Sequence, residues 1–155
     1  MSSFNVAQIL PSLTSGGVER GTIEVSNYLS ELRINNHIIS NGGPLENELN
    51  NDYTKHFQLS VHSKNFFNYP LIANDLKKII ETNNINLVHV RSRGPAWILS
   101  FIKNKNFKTI STFHNVYSGN SYFKKIYNKQ LSNVDQIVAI SNYVKNEIVK
   151  KYKLN

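Results

Sequence analysis

At 155 residues the chain is long enough for one domain with a sizeable core and short for two. It has no cysteine, which excludes disulfides, thiolate metal sites and a thiol nucleophile; it also lacks an apolar run of membrane-spanning length and a signal-peptide pattern at its start, so a cytoplasmic protein is expected. The net charge of +8 is uneven, with six acids against three bases in residues 1–60 and ten lysines against two acids in residues 103–153, so the last third offers a basic surface to nucleic acid, to an anionic membrane, to phosphorylated small molecules, or simply to solvent.

Taken in order, Phe4 to Leu10 is a short apolar run closed by Pro11, a buried strand. Gly16 and Gly17 follow in Leu-Thr-Ser-Gly-Gly-Val-Glu-Arg, and Val18, Thr22, Val25, Leu29 and Leu32 then recur at helical spacing. His37 to Ser40 is a second strand, ended by Asn41-Gly42-Gly43-Pro44, and a weaker third strand is expected over His56 to Val61. Pro70 starts a helix with Ile72, Leu76, Ile79 and Ile80 on its apolar face. Leu87 to Val90 is strand four, Pro95 to Ile102 a helix, Lys108 to Phe113 strand five, and Ser121 to Leu131 a helix. Asp135 to Ile140 is strand six, and Ser141 is placed to cap a last helix carrying Val144, Ile148 and Tyr152.

This alternation predicts an α/β fold, a doubly wound Rossmann-like parallel sheet with helices on both faces, as a single domain over residues 1–155. Ligands of such sheets bind beyond the carboxyl ends of the strands, so the segments after strands carry the candidates. Gly16-Gly17 lets a ligand approach the backbone ahead of a helix N-terminus that favours an anion, or is only a tight turn, since neither a full dinucleotide pattern nor a phosphate-loop lysine is present. Arg91 and Arg93 follow strand four as a pair shaped for phosphate or carboxylate, or serve local ion pairs. His114 stands after strand five, where a titratable group reaches a ligand, although a lone histidine is more often structural. The histidines show no metal-ligand spacing and no serine nucleophile elbow occurs.

Together, Leu-Thr-Ser-Gly-Gly-Val-Glu-Arg-Gly-Thr after strand one, Ser63-Lys64-Asn65, His89-Val90-Arg91-Ser92-Arg93 with Pro95-Ala96-Trp97, Thr112-Phe113-His114, Tyr127-Asn128 and Ile140-Ser141 resemble the amino-terminal domain of family 4 glycosyltransferases, nearest to an alphaproteobacterial branch. The resemblance covers the whole chain but only the first half of that family's two-domain GT-B enzyme. It implies retaining transfer of a sugar from a nucleotide-sugar to an acceptor, often lipopolysaccharide or another glycolipid, usually without a metal and with no cofactor. It further implies His114 beside the transferring sugar as the catalytic candidate, Gly16 and Gly17 against the donor diphosphate, and Glu19, Arg91, Arg93, Tyr117 and Ser141 lining the cleft.

The family's carboxyl-terminal donor-binding domain, with its paired glutamates, has no counterpart here, so the chain alone is expected to be inactive or nearly so. It is read as a split-gene product, one chain of a two-chain enzyme with a separate carboxyl-terminal partner, or a domain cut at the boundary. Two other readings stand beside it: a non-catalytic module for phosphorylated ligands, glycolipids or a protein partner, and a nucleic-acid binder, which charge alone suggests and no motif supports. Lys103, Lys105, Lys108, Lys124, Lys125 and Lys129, with Tyr122, Phe123, Ile126 and Tyr127, read either as a peripheral anionic-membrane contact or as a solvated helix with a wide core face.

Overall fold

The computed structural model describes residues 4–119 and 121–154. Its elements are β1 (Val6–Ile9), α1 (Gly17–Glu31), β2 (Asn36–Ser40), β3 (Thr54–Gln58), α2 (Tyr69–Thr82), β4 (Leu87–Val90), α3 (Arg93–Ser100), β5 (Lys108–Phe113), α4 (Tyr122–Lys129), β6 (Gln136–Ala139) and α5 (Asn142–Tyr152), with single 3-10 turns at Pro44–Glu48, Phe66–Asn68 and Gln130–Ser132. The strands form one parallel sheet in the order β3-β2-β1-β4-β5-β6. Right-handed crossovers explain the layering. Stepping outward from β1 to β3 puts α1 on one face, and returning to β4 and stepping out to β6 puts α2, α3 and α4 on the other. This is the expected doubly wound α/β sheet.

Two apolar clusters result. The larger joins Ile9, Ile39, Val88 and Val90 of the sheet to Leu76 of α2 and Leu99 of α3, and α5 adds Val144, Ile148 and Tyr152. The smaller lies on α1's side around Leu10, Leu13, Ile23 and Ile38. Towards β2 and β3, however, α1 presents hydroxyl groups. Thr22, Ile23, Ser26 and Ser30 are its buried residues, whereas Val25 and Leu32 of the apolar stripe are exposed.

The buried hydroxyls also correct the third strand, which starts two residues earlier than apolar content suggested. Ser26 Oγ donates to Asn36 Oδ1 at 2.6 Å and lies 3.0 Å from Thr54 Oγ1, and Ser30 Oγ lies 2.8 Å from Thr54 Oγ1. Buried polar groups must be paired, so this network pins Thr54 opposite Asn36. Val61, expected at the strand's end, is buried in the core beyond it.

At the amino edge, Asp135 clips β5 to the turn before β6. It accepts from Thr109 Oγ1 at 2.7 Å and Thr109 N–H at 2.8 Å, and these bonds hold its carboxyl down at about 2. Lys108 pairs with the same carboxylate at 3.3 Å. Lys103, Lys105 and Lys108 thus lie in or beside the turn entering β5, apart from Lys124, Lys125 and Lys129 on α4; the six lysines do not form one patch. On α1's side of the sheet, strand alternation directs Leu87, Ile110 and Val138 outward in the β4–β6 half. α1 makes its main contacts with β2 and β3 and leaves Val138 and Ile140 exposed.

Candidate functional site

β1 and β4 are neighbours in the sheet but send their helices to opposite faces, so the loops beyond their carboxyl ends diverge and leave a crevice at the switch in strand order. The β1 loop is tied to the β2 loop. Leu13 N–H donates to Gly42 O at 2.9 Å and Leu45 N–H to Leu13 O at 3.0 Å, and a Cβ on Gly43 would lie 2.3 Å from Leu13 O. The crevice wall therefore has a fixed shape.

The two glycines of that wall have different reasons to be glycine. Gly16 is the N-cap of α1 with φ +138°, a conformation strained for any other residue, and a Cβ there would sit 2.6 Å from Glu19 Oε2. The Glu19 carboxylate lies back over the helix start, where the dipole favours negative charge. Gly17 is the first residue of the helix, has no positive φ, is exposed, and a Cβ on it would meet nothing within 4 Å. Nothing within the described chain requires a glycine at position 17.

Arg91, leaving β4, is only 6% exposed. Its Nε donates to Gln8 Oε1 at 2.8 Å, and its Nη1 lies 3.9 Å from where a Gly21 Cβ would be, one turn into α1. Burial pulls its pKa down to about 10, so it stays charged at neutral pH. Among the described residues no carboxylate pairs with it. A buried guanidinium without a counter-ion is costly unless an anion completes it.

His114 is half-buried beside this charge. Its pKa is lowered by burial and then by Arg91, with Glu19 opposing. Its Nε2 is shielded from solvent and has no hydrogen-bond partner within the described residues. His89, one strand over, is pushed down to about 3 by burial, Arg91 and His114, and its Nε2 bonds Thr112 Oγ1 at 2.8 Å. Both rings are therefore neutral at pH 7. The switch point combines fixed positive potential from Arg91 and the α1 N-terminus with a neutral imidazole that has a hydrogen-bonding position unused.

The remaining candidates are held differently. Arg93 is the first residue of α3, two before the expected Pro95. Its Nη1 donates to Asn128 Oδ1 at 2.6 Å, and its guanidinium carbon stacks 4.1 Å from the centre of the Tyr117 ring. Tyr117 in turn packs on Phe113. Arg93 and Tyr117 thus brace α4 and the loop after β5 against α3. Ser141 caps α5, its Oγ accepting from Val144 N–H at 3.2 Å. Sequence reasoning passed over Gln8, the anchor of Arg91, and gave Asn128, the anchor of Arg93, no role beyond its place in the family resemblance. Gln8 did carry a signal, as the one polar residue inside the apolar run Val6 to Leu10.

Of the concave spaces, one of about 770 Å³ along β6 and α5 reaches Ser141, whereas one of about 490 Å³ lined by Ile80, Ile85, Ile102 and Phe107 sits at the amino edge. Lys77, Glu81 and four asparagines complete its lining, and none of the sequence-predicted site residues reaches it.

A doubly wound Rossmann-like domain of this size, with its polar groups gathered at the switch point, is the kind that forms one half of a GT-B enzyme. The chain belongs to Glycosyltransferase Family 4, whose family model matches residues 15–155. It is similar to a glycosyltransferase from Rickettsia africae ESF-5, at 41% identity and a TM-score of 0.82, over 100% of this chain and 41% of that one. It shares its fold with sucrose-phosphate synthase from Thermosynechococcus elongatus, at 14% identity and a TM-score of 0.74, over 96% of this chain and 45% of that one. A second structure of part of that synthase gives a TM-score of 0.64, also at 14% identity, with 96% of this chain and 82% of that one covered. Among curated proteins no match is found.

Proposed function

We propose that this chain forms the acceptor-side wall of a retaining glycosyltransferase that moves a sugar from a nucleotide-sugar to a glycolipid or lipopolysaccharide-type acceptor in the cytoplasm. A carboxyl-terminal donor-binding domain, joined to it or supplied as a separate chain, completes the cleft. The chain spans 41% of the Rickettsia africae relative, and the half-uncovered sheet face around Val138 and Ile140 is suited to receive part of the remainder. The observation that carries the reading is Arg91, a buried cation with no carboxylate partner among the described residues, placed against Gly21 one turn into the helix that the Gly16-Gly17 turn starts.

In this reading the α1 N-terminus and Arg91 stabilise the departing diphosphate, and the open space over Gly17 is where it approaches. Preorganised positive charge aimed at a developing anion is the largest single lever such a site has. His114, neutral, hydrogen-bonds a hydroxyl of the transferring sugar and orients it. Glu19 sets the helix start and the field at His114. Arg93, Tyr117 and Ser141 act on the cleft by holding its loops.

The anion half of the reading is tested with inorganic pyrophosphate and thermal unfolding of this chain. A ligand that binds only the folded state at 100 times its Kd adds about 2.7 kcal/mol, so pyrophosphate is expected to raise Tm by several degrees in wild type and not in Arg91→Gln. Equal shifts in the two proteins would place the anion elsewhere.

A further inference from the structure

The loop after β3 and helix α4, distant in sequence, meet at the carboxyl edge. Phe66 packs edge-on against Tyr127, with ring centres 6.1 Å apart, and against Trp97 at 5.8 Å. Tyr127 stacks on Trp97, whose Nε1 donates to Tyr127 O at 3.1 Å. This joint is firm, and what it holds outward is apolar. Phe67, next to Phe66, is 92% exposed; Phe123, one turn before Tyr127, is 82% exposed. Tyr122 and Ile126, on the same arc of α4, and Leu71 in the first turn of α2 are exposed as well. Isolated apolar residues on a surface need no explanation, but a group of large ones on two braced segments does.

Charge narrows what covers them. Lys64 flanks the Phe66–Asn68 turn, and Lys124, Lys125 and Lys129 flank the aromatic arc of α4, all of them exposed. Residues 53–74 and 82–134, which include every residue named in the patch, contain no acidic residue. The acid that follows Leu71 in α2, Asp75, is paired with Lys78 at 3.2 Å. Aromatic rings ringed by lysines and free of acids match the boundary of an anionic bilayer, where rings enter the headgroup layer and lysines meet phosphates.

We propose that this patch, with Phe67 and Phe123 as its inserted tips and Lys64, Lys124, Lys125 and Lys129 as its charged rim, docks the domain on an anionic membrane surface. It lies at the same edge of the sheet as Arg91 and His114, so a docked domain presents its crevice to lipid-borne molecules. Docking itself needs neither donor nor acceptor, and its failure leaves the proposed transfer reaction untouched.

The test is co-sedimentation of this chain with phosphatidylglycerol-containing vesicles and with phosphatidylcholine vesicles, at low and high salt. Binding is expected to the anionic vesicles only and to weaken with salt. A basic residue near such a surface contributes about five-fold in partition, so Lys124→Gln with Lys125→Gln is expected to cost about 30-fold. Phe67→Ser with Phe123→Ser is expected to cost at least about ten-fold at both salt concentrations; both positions are exposed, and circular dichroism checks that the variants fold. Absence of binding to anionic vesicles at low salt overturns the proposal, as does binding that survives the phenylalanine pair. Concentration-dependent self-association in lipid-free solution, lost in the phenylalanine pair, overturns it in favour of an interface between copies.

Discussion

Gly17→Val is expected to lower sugar transfer by the assembled two-domain enzyme about 100-fold or more, the scale of a misplaced reacting group, while changing the stability of this chain by no more than about 1 kcal/mol. The stability half follows from the empty space around position 17 and its ordinary helical backbone. Valine is a better helix former than glycine. The activity half follows because the isopropyl group fills the approach to the N–H groups at the start of α1. Gly16→Val supplies the contrast, because there a side chain meets both a φ of +138° and the Glu19 carboxylate, so that variant loses folded protein. Measured together, transfer rates and melting temperatures separate a ligand contact at 17 from a folding requirement at 16. Normal transfer by Gly17→Val would reduce the turn to a structural device.

His114→Ala is expected to lower kcat about 100-fold with a small change in melting temperature. A half-buried ring with an unused Nε2 has little to lose from the folded state, whereas a group that touches the reacting sugar acts in the transition state. The pH dependence has a definite sign. Burial and Arg91 lower the pKa of His114 in the folded chain, so the ring stays neutral through the ordinary histidine range. Transfer that needs the neutral ring is therefore expected to hold level as pH falls through 6.5, the ordinary value, and to decline only below it. Stability moves the same way. The unfolded chain takes up these protons first, so acidification below the unfolded value favours unfolding, with His89, held at about 3, contributing as well. If the variant instead unfolds and its activity follows the folded fraction, His114 is a core residue.

What was legible in the sequence was whatever periodicity or punctuation controls. Apolar runs such as Leu87 to Val90, too short for helices, read as strands of a buried parallel sheet, and their alternation with helices pointed to a doubly wound fold. The third strand was misplaced because three hydroxyl groups and one carboxamide from separate segments, those of Ser26, Ser30, Thr54 and Asn36, fix its pairing. No window of apolar content records such a network. α1 was misread for the same reason: its stripe of Val25 and Leu32 faces outward, and its serines face in. Arg91 and His114 were singled out as candidates from their places after strands four and five. Their burial, and the split of the Arg91 and Arg93 pair into one residue anchored under α1 and one stacked on Tyr117, depend on Gln8 and Asn128. The junction of Phe66, Trp97 and Tyr127 was out of reach, since it gathers one ring from each of three separate segments.

The most direct measurement is radiolabelled sugar transfer from a panel of nucleotide-sugars to a lipid extract. It compares this chain, a carboxyl-terminal family 4 domain, the two combined, and the combination carrying Arg91→Gln. Transfer is expected only from the combination, reduced about 100-fold or more by Arg91→Gln, the cost of removing one group that stabilises developing charge. Full transfer by the carboxyl-terminal domain without this chain, or transfer by the combination that Arg91→Gln leaves intact, would contradict a role for this domain as the wall of the catalytic cleft.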